Sequence, residues 1–451
     1  MNLETEVYEA YRTHILEHPE LNRRGALAVR DLLEHSPVSR RKELEGTVQI
    51  PKVFSVRAVS DFERIVRTTY TILSKIIREY RTKEDYRKLF MFPRELEELI
   101  LLPMQYEGFL PMARFDIFYN EETGDFRFCE INTDGSSGMA KELELRRALI
   151  CNPAHQAVIR QYRLKSFELF DSWIRTFLKL YRTWPKSREH PNVAIMDFME
   201  FATRSNFEEF ARRFQEAGFN CEICDIRTVS YRDGVLYSEA GNRIDAIYRR
   251  AVTSDVLAHY DEITDFLNAV RDDAVFLAGA FSTQVVHTKW LFHILFLDRT
   301  MQILSEEERS FVRAHFPLTS QFSPECMCLE ETIREKDRWI LKPMDSYGSK
   351  GVYAAGREYG SEEWENLCRE LYGQEYICQE YCRQYLTYNI DYAWGDGKWH
   401  AYANLPGLFS YDGNFAGVLM RMTEDGKIIA NTTYELTVPV FVAREPAHVA
   451  E

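Results

Sequence analysis

Residues 113–135 read ARFDIFYNEETGDFRFCEINTDG. Two runs that alternate between apolar and polar, joined by a short turn containing glycine, predict a β-hairpin. In the first run Arg114 and Asp116 share a face, with Phe115 and Ile117 on the other. In the second, Phe128, Glu130 and Asn132 share a face, opposite Cys129 and Ile131. Pairing Asn120 with Phe126 sets Asp116 directly across from Glu130, and Arg114 across from Asn132. Carboxylates opposed in this way destabilise a strand pair, so a chain that folds here must bring positive charge to the hairpin. A divalent cation would do this, because two carboxylates and an amide carbonyl on one face form a hard-oxygen set suited to Mg2+. The plainer reading is a solvated hairpin on which Arg114 neutralises one carboxylate, since surface Asp and Glu are common. The small-residue loop TDGSSG after Asn132 favours a ligand, because backbone can be approached closely there.

The rest of the chain narrows the setting. Its 451 residues suffice for two or three domains, and 45% hydrophobic content is that of a packed protein. A net charge of −14 without a basic tract argues against non-specific nucleic-acid binding. It is compatible with a cationic substrate. No basic-then-apolar leader opens the sequence, and no run approaches a membrane span, so a cytoplasmic protein with no membrane partner is expected. Nine scattered cysteines then read as reduced thiols. Cys221 and Cys224 in CEIC fall in a strand-like run, and neither they nor CMC at 326–328 have a second ligand pair at zinc spacing, so both read as structural.

Along the chain, the first hundred residues read as mostly helical. Residues 61–82 carry apolar side chains at helical period, and 93–103 form a short helix between prolines. After the hairpin, SSGMAKELELRRALI starts a helix with Ser136 or Ser137 as N-cap, and 165–184 is amphipathic. Residues 193–198, 205–218, 220–226 and 243–250 then read strand, helix, strand, strand, a small parallel α/β unit that lacks GxGxxG. In the last third, 282–296 reads as an apolar helix beginning near Lys289, 338–356 as strand, glycine loop, strand, and 375–382 as a strand. Two hairpins follow, turned at 395–397 and at Asp425-Gly426.

Three further stretches carry chemistry. In LKPMDSYGSKGV, Lys342 leaves a strand ahead of a loop holding Ser346, Gly348, Ser349 and Gly351. Backbone N–H groups in such a loop cradle phosphate oxygens, and a lysine neutralises them. An ordinary surface hairpin is the competing reading. Lys289, at a helix start, sits against the dipole unless an anion is present; a surface lysine lying along its own stem is the bland alternative. Gln379 and Glu380, at a strand end, offer donors and acceptors for an adenine edge and a ribose. Together these form the parts of a nucleoside triphosphate site built without a P-loop or kinase motif.

The stretches RFD…FCEIN, HTKWLF, ILKPMDSYGSKGV and ICQEY resemble the circularly permuted ATP-grasp enzymes, specifically the synthetase half of glutathionylspermidine synthetase, from about residue 105 to 430. Here Glu130-x-Asn132 precedes Lys289 and Lys342, the reverse of the unpermuted order. The resemblance implies a circularly permuted ATP-grasp fold of mixed α+β and α/β class. Its parts would be a helical region at 1–104, the metal-binding hairpin at 105–150, a helical connector at 151–190, a small parallel α/β domain at 191–280, and ATP-grasp subdomains at 281–451. It implies that Asp116, Glu130 and Asn132 bind two Mg2+ ions, with Glu130 bridging. Arg114 would stabilise developing charge. Lys289 and Lys342 would hold ATP phosphates under the 346–351 loop, Gln379 and Glu380 would lie at adenine and ribose, and Arg421 would touch phosphate or intermediate. Arg249-Arg250 would close the third strand of the small domain.

The implied activity is ATP-dependent ligation of a small-molecule or peptide carboxylate to an amine through an acylphosphate, releasing ADP. The amidase domain of bifunctional relatives is not expected here. Neither glutathione, a polyamine nor the oligomeric state follows from the sequence. A small-molecule kinase on the same fold, a non-catalytic ATP- or peptide-binding homologue, and a glycosidase using Asp116 and Glu130 are the alternatives. The last leaves both lysines and the glycine loop without a role.

Overall fold

The computed structural model describes residues 2–40, 42–44, 46–344, 351–354, 359–425 and 435–444. Its centre is a six-stranded sheet in the order Leu436–Val438, Asn414–Glu424, Trp399–Tyr411, Met112–Tyr119 and Phe126–Asn132, with Leu386–Ile390 also paired to Trp399–Tyr411. The hairpin from the first third of the chain therefore lies beside the two longest strands of the last. Asp116 pairs with Glu130 and Arg114 with Asn132, as the alternation requires.

The turn end differs. Tyr119, not Asn120, pairs with Phe126, and the register jumps between Asp116 and Ile117 so that Cys129 has no partner across the strand pair. This one-residue bulge reverses the side-chain alternation. Phe128 thus joins Ile117, Phe115 and Ile131 in the core instead of sharing the face of Glu130.

A long helix supports that core face. Val56–Thr82 begins earlier than its apolar period suggested, because Ser55 caps it by accepting the Ala58 N–H at 3.2 Å. Its buried stripe, including Phe62, Ile65, Val66, Ile72 and Ile76, packs in the same cluster as Phe115 and Ile117. With one face of the hairpin committed to this core, the polar face is left for chemistry.

A second sheet is all parallel, in the order Phe276–Ala278, Ala246–Arg249, Val193–Asp197 and Cys221–Asp225. The helix Arg204–Glu216 makes the crossover, and Gly218 beyond its end has φ +88°, a backbone state open to glycine. A third sheet joins Thr319–Gln321, Tyr376–Glu380, Trp339–Pro343 and Tyr353–Ala354, antiparallel throughout.

Two local expectations are corrected, and two further pairings were not foreseen. The helix after the hairpin, Met139–Ala148, starts from Gly138 at φ +103° with no side-chain cap, while Ser136 donates instead to the Asn132 carbonyl. Residues 282–296 are not one helix: a 3-10 turn at Phe281–Val286 and a short helix at Leu291–Ile294 flank Lys289, whose N–H donates to the Met344 carbonyl at 2.9 Å. The strand 414–424 turns back on 399–411 through Asp412-Gly413, with φ +48° and +76°, the primed geometry of a two-residue hairpin. The expected turn partner at 426–430 lies outside the described residues. Finally, Lys52–Ser55 is a strand, paired in parallel with Val440–Ala443, which also binds Lys165–Ser166.

Candidate active site

The bulged hairpin, the third sheet and the C-terminal ends of the parallel strands enclose a cavity of about 480 Å3. Ligands in α/β sheets bind at such carboxyl ends. Arg114, Glu130, Asn132, Lys289, Lys342, Gln379, Glu380 and Arg421 all line it. The polar partners of Asp116 line it as well, although Asp116 itself is fully buried.

The opposed carboxylates are offset by side chains. Arg114 donates through Nε and Nη2 to the two oxygens of Asp116, at 2.8 and 3.0 Å, and through Nη1 to the Ser137 carbonyl. Asn132 Nδ2 donates to Asp116 Oδ2 at 2.9 Å, and Arg421 Nη2 donates to the same oxygen. Glu130 faces Lys289, with Oε1 3.1 Å from Nζ. Burial pushes the Glu130 carboxyl up, but Lys289, Lys342 and Arg421 outweigh it and hold it at about 2.

Gly407, paired with Asp116 across the sheet, makes room for this arrangement. A Cβ there would stand 2.6 Å from Asp116 Oδ1 and 2.8 Å from Arg114 Cδ.

This donor set decides what a divalent cation can use. Glu130 has 32% of its side chain open, and Asn132 keeps its amide oxygen after Nδ2 turns to Asp116. Those two fit a Mg2+ that takes its other oxygens from water and phosphate. Asp116, with four donors on two oxygens, joins such a site only if an arginine releases it. Among the described residues no three His, Cys, Asp or Glu side chains form a metal cluster.

At the other expected positions, Lys342 is buried and donates to Gln379 Oε1 at 2.7 Å, and Glu380 accepts from Arg127 Nη2 at 2.8 Å. Gly351 has φ +71°. Ser346, Gly348 and Ser349 lie outside the described residues. Burial pushes the Cys129 and Cys224 thiols up, to about 11 and 12, so neither is a nucleophile at neutral pH.

The cavity continues past the hairpin into residues to which the sequence assigned no place at the site. Lys141, Asp197, Arg250, Asp255 and Glu43 line its far end. Arg250 is buried; it donates to Tyr248 Oη and to the Gly135 carbonyl, and its Nε has no hydrogen-bond partner. Burial pushes the Asp197 carboxyl up to about 7, against the pull of Arg250 and the Phe198 N–H. Arg249 does not reach the chemistry: it pairs with Asp134 at 3.0 Å and donates to the Gly279 carbonyl, clasping the loop after Asn132 onto the parallel sheet. The one sequence signal for this end was that Asp197 and Arg250 terminate β-strands of a parallel unit.

No protein-family model matches the chain, and no curated protein matches it. Among solved structures, a glutathione synthetase-like effector from Globodera pallida, in apo form, superposes with a TM-score of 0.59 over 93% of this chain and 96% of its own, at 9% identity. A putative gamma-glutamylcysteine synthetase from Methylobacillus flagellatus scores 0.35 at 11% identity, over 87% of this chain and 90% of its own. A carboxyaminoimidazole ribonucleotide synthase from Aspergillus clavatus, complexed with ATP, scores 0.25 at 8% identity, over 57% and 72%. The first likeness is one of fold; the other two scores carry no argument. The chain is a mixed α/β protein that shares its fold with that glutathione synthetase-like effector.

Proposed function

We propose that the chain is an ATP-dependent carboxylate–amine ligase of the circularly permuted, glutathionylspermidine synthetase-like kind. The observation that carries this reading is one continuous cavity with two chemically distinct ends. One end gathers Lys289, Lys342, Arg114 and Arg421 around Glu130; the other sets a buried Arg250 beside Asp197 and Asp255. The fold shared with a glutathione synthetase-like protein is in keeping with it.

In this reading ATP phosphates lie between Lys289 and Lys342. A carboxylate substrate enters from the Arg250 end. Its oxygen attacks the γ-phosphorus, the bond to ADP breaks, and an acylphosphate forms. The amine nitrogen then attacks the acyl carbon, the carbon–oxygen bond breaks, and phosphate leaves. Phosphoryl transfer of this kind needs positioning and charge neutralisation more than a protein nucleophile. Glu130 and Asn132 would hold Mg2+, which supplies charge neutralisation at the phosphates when bound. Arg114, fixed by Asp116, stabilises the tetrahedral oxyanion.

The test is ADP release from the purified chain, with ATP and Mg2+, across pairs of carboxylates and amines. A ligase turns over only when both are present. Turnover with one substrate alone, yielding a stable phosphorylated product, would establish a kinase instead. Glu130→Ala is expected to abolish Mg2+-dependent turnover while the far-UV spectrum is retained.

A further inference from the structure

Three buried side chains behind the lysines form a directed hydrogen-bond chain. In the third sheet Gln379 pairs with Thr319 on one side and Ile340 on the other. Lys342 stands two residues along from Ile340, on the same face and diagonal to Gln379. Lys342 Nζ donates to Gln379 Oε1 at 2.7 Å, Gln379 Nε2 donates to Thr319 Oγ1 at 2.9 Å, and Thr319 Oγ1 donates to the Pro317 carbonyl at 2.9 Å. An ammonium has only donors, so the amide oxygen must face it and the amide nitrogen must face Thr319. All three side chains are at least nine-tenths buried.

We propose that Gln379 is a positioning residue for Lys342 and does not read the nucleotide base; this rests on the ATP-ligase reading and deepens it. A long lysine stem has many rotamers, and a buried ammonium must be hydrogen-bonded. A neutral amide meets both needs without cancelling the charge. Lys342 lines the cavity, and after Gln379 and the Cys129 carbonyl, 3.5 Å away, an ammonium has one donor left for a phosphate oxygen. A carboxylate at position 379 would hold the same ammonium but neutralise it. Selectivity for the base, in this arrangement, falls to groups other than the Gln379 side chain.

The test uses the full chain with Gln379→Leu, Gln379→Glu and the milder Thr319→Val, and two readouts. The first is the acylation rate of Lys342 by a water-soluble lysine reagent, followed by peptide mass spectrometry. Gln379→Leu and Thr319→Val are both expected to raise it, and unchanged rates in both overturn the positioning role whether or not nucleotide binds. The second is calorimetric binding of ATP, GTP, inorganic tripolyphosphate and adenosine. Gln379→Leu is expected to weaken the three polyphosphates by a common factor of about ten, Gln379→Glu to weaken them at least as much, and adenosine to be unaffected. A loss confined to ATP, with tripolyphosphate unchanged, overturns the proposal in favour of base recognition. Should wild type and Lys342→Ala bind ATP equally, the nucleotide assignment of Lys342 falls, while the acylation rates still decide what Gln379 does.

Discussion

At the scale of single residues, the hairpin's charge problem has a concrete answer: two arginines and an asparagine saturate Asp116, and a lysine faces Glu130. Removing the anion between two buried guanidinium groups leaves uncompensated charge. Asp116→Asn is therefore expected to cost about 3–5 kcal/mol of unfolding free energy, read from denaturant midpoints; a loss near zero would show that Arg114 and Arg421 do not depend on it. Asp197 behaves in the opposite sense. Its carboxyl, near 3.9 in an unfolded chain, sits at about 7 in the fold, raised by burial with Arg250 and the Phe198 N–H opposing and Asp255 and Asp134 adding. A folded value above the unfolded one means that this group's stabilisation is complete below pH 4 and is lost as pH rises through 7. Asp197→Asn keeps an acceptor for Phe198 N–H and removes the titration. It should match wild type at pH 4 and exceed it in stability at pH 8, by on the order of 1–3 kcal/mol. Melting curves at the two pH values decide this, and an equal offset at both would refute it.

At the scale of elements, alternation in 113–135 was enough to place Arg114, Asp116, Glu130 and Asn132 together, because side-chain period in a strand is two and a buried face fixes register. It could not reveal the bulge at Cys129, since an extra residue leaves no mark on the pattern of either run; only the core position of Phe128 exposes it. The stretch around Lys289 misled for a different reason. Its apolar residues are buried on all sides, so helical period and an irregular, packed segment look alike in sequence. The dipole argument for Lys289 lapses with the helix, and the ion pair with Glu130 takes its place. Gly407 is the element-scale test of the site's packing. It lies mid-strand at an ordinary extended backbone, so only space is at issue. Gly407→Ala is expected to displace the Arg114–Asp116 pair and lower turnover at least about tenfold, with a smaller effect at Gly360, where φ is −66° and a Cβ meets only Glu363 Oε2, at 3.5 Å. Equal, mild effects at both positions would show that the pair is not held from this side.

At the scale of the molecule, what sequence pattern could not reach is pairing between distant segments. Nothing local in KVFS or VFVA announces that Lys52–Ser55 and Val440–Ala443 lie side by side in parallel, with Lys165–Ser166 beyond. Such pairings are specified by complementary buried surface across the whole chain, not by propensity. This small sheet ties the N-terminal helices to the far end of the sequence, and Phe441 is its pin. Phe441 is buried in a cluster with Val7, Tyr11, Ile15, Val158 and Tyr162, its ring 4.8 Å from that of His155. The parallel sheet at Val193–Asp197 draws on other clusters. Phe441→Ala therefore leaves a cavity among Leu3–Glu17 and Pro153–Tyr162 and should cost about 3–5 kcal/mol. Hydrogen exchange tells whether the cost is local. If the small sheet is a separate fastening, amides of Leu3–Glu17 and Pro153–Tyr162 lose protection first, while those of Val193–Asp197 keep theirs. Uniform loss across all three segments would instead make the chain one cooperative unit. The termini would then contribute to the stability of the cavity itself, and any variant that loosens Phe441 should lower ADP release in step with its melting temperature.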